Sequence, residues 1–330
     1  MTRPGATTLS SLAPLPLDRL DPDQLATVRL TARLTMAFLL DIIAIARGEG
    51  GDVLDTLLMS AVIQANVEEI NRRGDLQVAF AQSDEPPPDE LRRPVSMNAL
   101  ASSLDLPFET VRRRIKGLVR AGQCVFVEGG VIVPSAVLTQ PRYAADAYRG
   151  FERIRDLYYQ LRGLGLLRDL PQPSVKLSAN AFPIRAVARL AGAYVLRVME
   201  AIGQVGDLID GLIVVELFRS NTEHLPLTPG SGDGGIVPDS ERRPVAVTGV
   251  AARLGIPQET VRRHVADLMA RGVCVRVRGG LIVPLQELAA SKSQLRTAVE
   301  ANAVNLHRLF SAYAQLGVLQ VWDATRPEPA

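Results

Sequence analysis

The sequence contains little of what several classes of protein depend on. Cysteine occurs twice, histidine three times, and aromatic residues make up 5% of the 330 positions. Two cysteines are too few for a disulfide-rich secreted scaffold, and no spacing of Cys and His is typical of a zinc site. No secretory leader is recognisable. We therefore expect a cytoplasmic protein in a reducing environment, with no bound metal.

Long uncharged apolar segments are also missing. The longest apolar run, Met36–Ala46, contains Asp41 and is too short to span a bilayer. The apolar stretch Ile184–Phe218 is repeatedly interrupted by charged residues. The sequence therefore predicts no transmembrane segment and no membrane partner.

Signatures of catalysis are absent as well. The glycine-rich segment Gly230–Gly235 lacks the lysine of a phosphate-binding loop and is followed by Ile-Val-Pro, which does not favour a helix. No serine nucleophile elbow is present, and the carboxylates are scattered. We therefore expect a binding protein without a cofactor, and not an enzyme.

What the sequence does contain is a segment that occurs twice. When Arg92–Leu138 is aligned with Arg242–Leu288, 23 of 47 positions are identical. In the first copy, Ser96 is a suitable N-cap for a short helix, and a second helix is predicted from about Pro107 to Ala121. Two short strands follow, separated by Glu128-Gly129-Gly130. This order of elements predicts a winged helix-turn-helix.

The segments LDLPFETVRRRIKGLVRAG and LGIPQETVRRHVADLMARG resemble the turn and recognition helix of bacterial winged-helix transcriptional regulators, and the two Gly-Gly hairpins resemble their wings. This resemblance covers about 47 residues in each half. It implies that both copies bind double-stranded DNA. The alternative is that both copies are helical hairpins used for protein contacts, as in some winged-helix proteins.

The second helix of each copy presents the candidate DNA-contacting residues. If Val111, Ile115 and Leu118 face inward, the outer face carries arginines that can read guanine and a glutamine that can read adenine. Glu109 and Glu259 either accept from cytosine or orient the arginines, and Thr110 and Thr260 either contact phosphate or cap the helix. The candidates are Glu109, Thr110, Arg112, Arg113, Arg114 and Lys116 in the first copy, and Gln258, Glu259, Thr260, Arg262, Arg263 and His264 in the second.

Charge is concentrated in the two copies. They carry formal net charges of +4 and +5, although the whole chain carries +2. Such clustering of positive charge is typical of proteins that bind a polyanion such as DNA. The copies differ at their wings, where Phe126 and Glu128 correspond to Arg276 and Arg278. Alternation along the strand places both arginines on one face, so we also predict DNA contacts for Arg276 and Arg278.

The similarity extends beyond the winged segments, because Gly51–Asn66 resembles Gly206–Asn221 and a long helix follows each wing. We predict a mainly α protein with small β-hairpins (α+β). The order of elements in each half is similar to that of regulators of the multiple-antibiotic-resistance type. The predicted boundaries are an N-terminal arm (1–22), repeat 1 (23–170, with helices 23–73, winged helix 92–138 and long helix 142–163), a linker (171–182), repeat 2 (183–320, with helices 183–222, winged helix 242–288 and long helix 291–317) and a C-terminal tail (321–330).

The sequence is compatible with several functions. The principal one is a transcriptional regulator that reads an imperfect palindrome; the alternatives are a replication-initiation or chromosome-organising protein and a protein–protein adaptor. We expect the long helices of the two halves to pack together as a dimer-like body within one chain, or also to join two chains. Asn302 lies in the apolar stripe of the last long helix and is placed to set the register of its packing. A small-molecule effector between the long helices and the winged copies is a further expectation. Cys124 and Cys274 are either redox sensors or small buried hydrophobes.

Overall fold

The computed structural model describes residues 21–82, 86–177, 181–203, 206–227, 237–284 and 293–326. These residues are mainly helical. The helices are α1 (Pro22–Arg47), α2 (Val53–Asn66), α3 (Glu68–Arg72), α4 (Gly74–Ala79), α5 (Met97–Leu104), α6 (Phe108–Arg120), α7 (Ser135–Leu138), α8 (Pro141–Gly163), α9 (Ile184–Gly203), α10 (Leu208–Thr222), α11 (Val247–Leu254), α12 (Gln258–Ala270), α13 (Ser293–Gln315) and α14 (Val318–Ala324). The strands form two antiparallel hairpins, β1 (Val125–Val127) with β2 (Gly130–Ile132) and β3 (Val275–Val277) with β4 (Gly280–Ile282). Within the described part of the chain, no helix is long and apolar enough to cross a membrane.

The four longest helices, α1, α8, α9 and α13, form the scaffold. Helix α9 packs along α13, α1 packs along α8, and α8–α9 and α1–α13 contacts close the group. Asn302, predicted to set a register, is buried at this junction. It accepts a hydrogen bond from the hydroxyl of Tyr194 at 2.7 Å and donates one to Oγ1 of Thr35 at 2.6 Å, so it joins three scaffold helices.

Two lobes with the same order of elements adjoin this scaffold. The first lobe consists of α2, α5, α6, β1 and β2, and the second of α10, α11, α12, β3 and β4. In each lobe the first helix packs on both helices of the predicted helix-turn-helix and on the second strand of the hairpin. Val95 forms an isolated β-bridge with Val131 of β2, and Val245 forms one with Leu281 of β4. A third segment of chain therefore pairs with each hairpin. The lobes therefore include α2 and α10, which lie outside the predicted winged-helix segments 92–138 and 242–288.

A buried asparagine at the end of each of these first helices holds the sheet in place. The side-chain amide of Asn66 donates to the carbonyl oxygens of Arg93 and Val131, and its Oδ1 accepts from the N–H of Val133 at 2.9 Å. Asn221 makes the corresponding three bonds, to Arg243, Leu281 and Val283. Both asparagines are fully buried. Each one therefore couples the first helix of its lobe to the wing.

Within the predicted helical segment 23–73, the second helix ends earlier than the segment does. Helix α2 ends at Asn66, Val67 takes a non-helical φ of −108° and ψ of 12°, and the chain continues as the short helices α3 and α4. The side-chain bonds of Asn66 to the first lobe's sheet give the physical reason, since they fix the chain at this position. The bend at Val67 therefore marks where the chain leaves the first lobe.

The predicted C-terminal tail is also corrected. Helix α14 covers part of it, and Trp322 is 1% exposed. The Trp322 ring packs against Phe151, Tyr158 and Tyr313. This apolar contact anchors the segment to α8 and α13. The predicted arm falls almost wholly in residues 1–20, and the glycine-rich segment Gly230–Gly235 falls in 228–236, outside the described residues.

The two lobes differ in how their cores join the scaffold. Buried residues of the second lobe, such as Val250, Leu254 and Val261, belong to one continuous apolar core with the scaffold helices. Most buried residues of the first lobe, such as Leu100 and Val111, form a separate core, although Val53 and Leu57 of α2 belong to the scaffold core. The second lobe therefore shares its core with the scaffold, whereas the first is joined to the scaffold mainly through α2.

Candidate nucleic-acid interface

The turn between the two helices fixes which face of α6 and α12 is exposed. Asp105 ends α5 and Gly255 ends α11, both with left-handed backbone (φ 50° and 66°), and a proline precedes the next helix in each lobe. Val111, Ile115 and Leu118 are buried along α6, as are Val261, Val265 and Leu268 along α12. The polar residues between them must therefore lie on the outer face of each lobe.

Most of the predicted contact residues lie on this outer face. Exposed positions are Glu109, Arg113 and Lys116 on α6 and Gln258, Glu259, Arg262 and Arg263 on α12, while Arg112 is half-exposed. Thr110 and Thr260 are partly buried. Neither caps its helix, because Pro107 and Pro257 occupy the N-cap positions. Contact with phosphate therefore remains the predicted role of both threonines.

Each outer face carries a glutamate–arginine pair one helical turn apart. Nη2 of Arg112 donates to Oε2 of Glu109 at 2.7 Å, and Nη2 of Arg262 donates to Oε1 of Glu259 at 2.6 Å. Hydrogen bonds from these arginines lower the pKa of both glutamates, which keeps them ionised. The geometry favours the interpretation in which the glutamates orient the arginines.

Arg114 and His264 require a correction, since their side chains are held within their own lobes. Nη1 of Arg114 lies 2.8 Å from Oδ1 of Asp52 and 2.7 Å from Oδ1 of Asp55, both at the start of α2. Nδ1 of His264 lies 2.8 Å from Oδ1 of Asp210, at the start of α10. Both side chains are mostly buried, at 21% and 15% exposure. We therefore assign them to holding the recognition helix against the first helix of the lobe.

Replacing Arg114 with alanine should lower the free energy of unfolding by about 1–2 kcal/mol, because two charge-assisted bonds to partly exposed carboxylates are lost. Sequence preference on DNA should change little. Urea unfolding and competition binding measure the two effects. Arg113→Ala is the matched control, with stability kept and DNA affinity reduced. A specificity change for Arg114→Ala as large as that for Arg113→Ala would contradict this assignment.

The two wings have the same backbone pairing but carry different side chains. Residue pairs Phe126–Val131 and Arg276–Leu281 occupy the same position in their hairpins. In the first lobe Phe126 and Glu128 are exposed, whereas in the second Arg276 and Arg278 are exposed. Arg276 and Arg278 are therefore on the surface, and their contact with DNA remains a prediction.

The turn of each wing requires glycine at its second position. Gly130 and Gly280 have φ angles of 151° and 153°. A Cβ atom would lie 2.3 Å from the carbonyl oxygen of Val95 at Gly130 and 2.5 Å from that of Val245 at Gly280. This close approach allows the wing to pair with the strand that precedes α5 or α11.

Cys124 and Cys274 are fully buried at the base of the wings. Burial raises the pKa of each thiol to about 11. A buried thiol with a raised pKa is a poor nucleophile. The structure therefore favours the interpretation as small hydrophobes.

One cluster that the sequence spacing did not reveal contains Asp207, Asp210 and His264, whose ligand atoms lie within 4.8 Å of one another. Arg271 also donates to Oδ2 of Asp210. The equivalent position in the first lobe is occupied by Arg114, which cannot bind a metal ion. We therefore interpret this cluster as an ion-pair network.

Comparison with known proteins identifies one matching family model. Residues 240–287 match the DeoR-like helix-turn-helix domain. This segment contains α11, α12 and the hairpin of the second lobe. The match supports a winged helix-turn-helix regulator that binds DNA. Neither curated proteins nor solved structures gave a match.

Proposed function

We propose that this protein is a sequence-specific transcriptional regulator that binds double-stranded DNA through both lobes. The observation that carries the proposal is the pair of outer faces on α6 and α12. Each has one arginine held by a glutamate at i−3, on a helix whose opposite face is part of the core. An oriented guanidinium suits bidentate recognition of guanine in the major groove.

The bound site is proposed to be an imperfect palindrome, because the two lobes differ where they would touch DNA. Gln258 replaces Phe108 at the start of the recognition helix, and arginines replace Phe126 and Glu128 on the wing. The two lobes are held by one scaffold, which supports a dimer-like arrangement within one chain. A homodimer of this chain would present four lobes.

Arg276→Ala and Arg278→Ala should each weaken DNA binding about equally on specific and random sequences. Each should also reduce the steepness of the plot of log binding constant against log salt concentration by about 1. The reason is that exposed wing arginines would displace counterions from phosphate. Fluorescence anisotropy across a series of salt concentrations measures this slope. Glu128→Ala is the opposite-sign control: it should strengthen binding and leave the slope at or above its original value. An unchanged slope in both arginine variants would exclude the wing from the interface.

A second candidate function is protein–protein adaptation by the first lobe. Phe108 and Phe126 are 41% and 48% exposed, and Val127, which follows Phe126 in the chain, is also exposed. Exposed apolar side chains of this kind are common in protein interfaces. In this case the second lobe alone would bind DNA.

A salt titration with random duplex DNA tests the proposal as a whole. A DNA-binding protein should show affinity that falls steeply as salt rises, because bound counterions are released on association. A protein that serves only as an adaptor should show weak binding without a steep slope. Genomic footprints distinguish a transcriptional regulator from the other alternative, a replication or chromosome-organising protein. A regulator should occupy many promoters, a replication initiator one origin, and a chromosome-organising protein broad regions.

The remaining parts of the proposal follow from this role. The protein would act in the cytoplasm at the nucleoid, without a cofactor and without enzymatic activity. Activation and repression are equally compatible with two DNA-contacting lobes. A small-molecule effector would act by changing the position of one lobe relative to the scaffold.

A further inference from the structure

The loop between α1 and α2, residues 48–52, borders the second lobe. Gly50, Gly51 and Asp52 of this loop line one cleft together with residues of α11 and the turn residues 255–258. The loop runs directly into α2, the first helix of the first lobe. The turn runs into α12, whose outer face carries the candidate DNA contacts of the second lobe. The segment that begins the first lobe therefore lies beside the recognition helix of the second.

Arg47, the last residue of α1, lies directly against this turn. A Cβ atom added at Gly255 would lie 2.1 Å from Nη1 of Arg47 and 2.7 Å from its Cζ. At the equivalent turn position of the first lobe, Asp105 also has a left-handed backbone, with φ 50°. Aspartate tolerates this backbone, so the conformation of the turn does not by itself require glycine. The guanidinium of Arg47 accounts for the glycine at position 255, because it occupies the space of a side chain.

Two hydrogen bonds fix Arg47 to the first half of the chain. Its Nη1 donates to the carbonyl oxygen of Gly51 at 3.3 Å, so the guanidinium lies between the loop and the turn. Its own carbonyl oxygen accepts from Nη2 of Arg142, at the start of α8, at 3.0 Å. Both partners belong to the first half of the chain, whereas Gly255 belongs to the second. Arg47 therefore links the two halves beside the second lobe.

Asp52 continues this link to the recognition helix of the first lobe. Its side chain caps α2 by accepting from the backbone N–H groups of Leu54 and Asp55. The same oxygen, Oδ1, accepts from Nη1 of Arg114 of α6 at 2.8 Å. A short series of contacts therefore joins the two recognition helices: α6 contacts Asp52, the loop contacts Arg47, and Arg47 contacts the turn before α12.

The attachment of the two lobes makes this link important for their separation. Both lobes pack on α1 and α9, the first through α2 and the second through α10. Most of the first lobe's core is separate from the scaffold core, so fewer apolar contacts fix its orientation. The polar link through residues 47–52 adds a constraint on that orientation. On DNA, one base pair corresponds to about 3.4 Å along the axis and about 35° around it, so small changes in separation change which sites fit.

We propose that Arg47 is a positioning residue. By holding the loop between α1 and α2 against the turn at Gly255, it fixes the distance between α6 and α12 and so selects the number of base pairs between the two half-sites. The statement about half-sites rests on the proposed DNA-binding function. The statement about distance concerns the free protein and does not. The two statements are therefore tested separately.

Distance measurement by pulsed electron paramagnetic resonance tests the first statement without DNA. Spin labels are placed on the full chain through Arg120→Cys and Ala270→Cys, at the exposed last residues of α6 and α12. The two native cysteines are buried and should not be labelled. Arg47→Ala should widen the distance distribution about 2-fold, whereas Arg72→Ala, at an exposed arginine of α3, should leave it unchanged. An unchanged width in Arg47→Ala would overturn the positioning role.

A pair of glycine variants tests the same contact from the other side. Gly255→Ala should displace the guanidinium and widen the distribution as Arg47→Ala does, and combining the two substitutions should add nothing. Gly272→Ala is the matched control in the same lobe. Both glycines have φ 66°, so the backbone strain is equal, but a Cβ atom at Gly272 would meet nothing within 4 Å. Equal distributions for Gly255→Ala and Gly272→Ala would contradict the proposal, even if Arg47→Ala failed to fold.

The second statement is tested with duplexes that carry both half-sites at the preferred spacing or at one base pair more or less. The original chain should bind the preferred spacing about 10-fold or more tightly, within the usual scale of coupling between two sites. Arg47→Ala should reduce this ratio to about 3-fold or less and leave the affinity for an isolated half-site unchanged. An unchanged ratio, or no spacing preference in the original chain, would overturn the role of Arg47 in site selection. Absence of DNA binding in every condition would instead refute the proposed function, and the distance measurements would still decide whether Arg47 positions the lobes.

Discussion

Replacing both Arg262 and Arg263 with alanine should reduce affinity for the specific duplex about 100-fold, because two contacts of about 1.5 kcal/mol each are removed. Both side chains are exposed on α12. The loss should exceed this value on some sequences, since Glu259 would remain near the phosphates without its arginine partner. Affinity for random duplex should fall less, which a competition assay measures directly.

Two controls separate this effect from a general loss of charge. Arg72→Ala with Arg73→Ala removes the same charge from two exposed side chains at the junction of α3 and α4 and should leave DNA binding nearly unchanged. Arg112→Ala with Arg113→Ala makes the equivalent change in the first lobe and should cause a smaller loss, because the wing of that lobe carries Glu128. Equal losses in all three double variants would mean that the arginines act only through net charge.

Asn221→Ala should lower the free energy of unfolding by about 3 kcal/mol. The substitution removes one donor from each of the carbonyl oxygens of Arg243 and Leu281, of which the second keeps the N–H of Val245, and it leaves the N–H of Val283 without an acceptor. A buried group that loses its partner costs about 1 kcal/mol or more. Denaturant unfolding measures the total, and hydrogen exchange at the Val283 amide reports the local effect.

Asn66→Ala is the matched variant in the first lobe, where the same three bonds would be lost. Because the first lobe has a separate core, its loss should appear as an early transition that leaves the second lobe folded. Asn221→Ala should instead weaken the shared core and lower the main transition. If Asn221→Ala unfolds like the original chain, with an unchanged exchange rate at Val283, the asparagine does not anchor the wing.

The sequence predicted these lobes well where the pattern is local. The stripe Val111, Ile115 and Leu118 indicated the buried face of α6, and the Gly-Gly turns indicated the hairpins. The repeat of Gly51–Asn66 in Gly206–Asn221 also ended at the two asparagines. Their role was not predictable, because their partners Arg93 and Arg243 lie more than 20 positions further along the chain.

The misassigned residues depend on contacts between distant segments. Arg114 has the spacing of a surface residue on α6, and only the fold brings it to Asp52, 62 positions away. Asp146 looks like an ordinary solvated carboxylate in the sequence, and its burial depends on how α8 packs. A pocket between the first lobe and the scaffold is lined by six helices from both halves of the chain, so no local pattern encodes it.

Selection of bound sequences from a random duplex pool tests the central claim, that one chain reads DNA with two lobes. We expect enrichment of two inverted, non-identical half-sites with centres about one helical turn, 10–10.5 base pairs, apart. Loss of Arg112 and Arg113 should relax one half-site, and loss of Arg262 and Arg263 the other. Enrichment of a single half-site that is unaffected by loss of Arg112 and Arg113 would contradict this account, as would no enrichment at all.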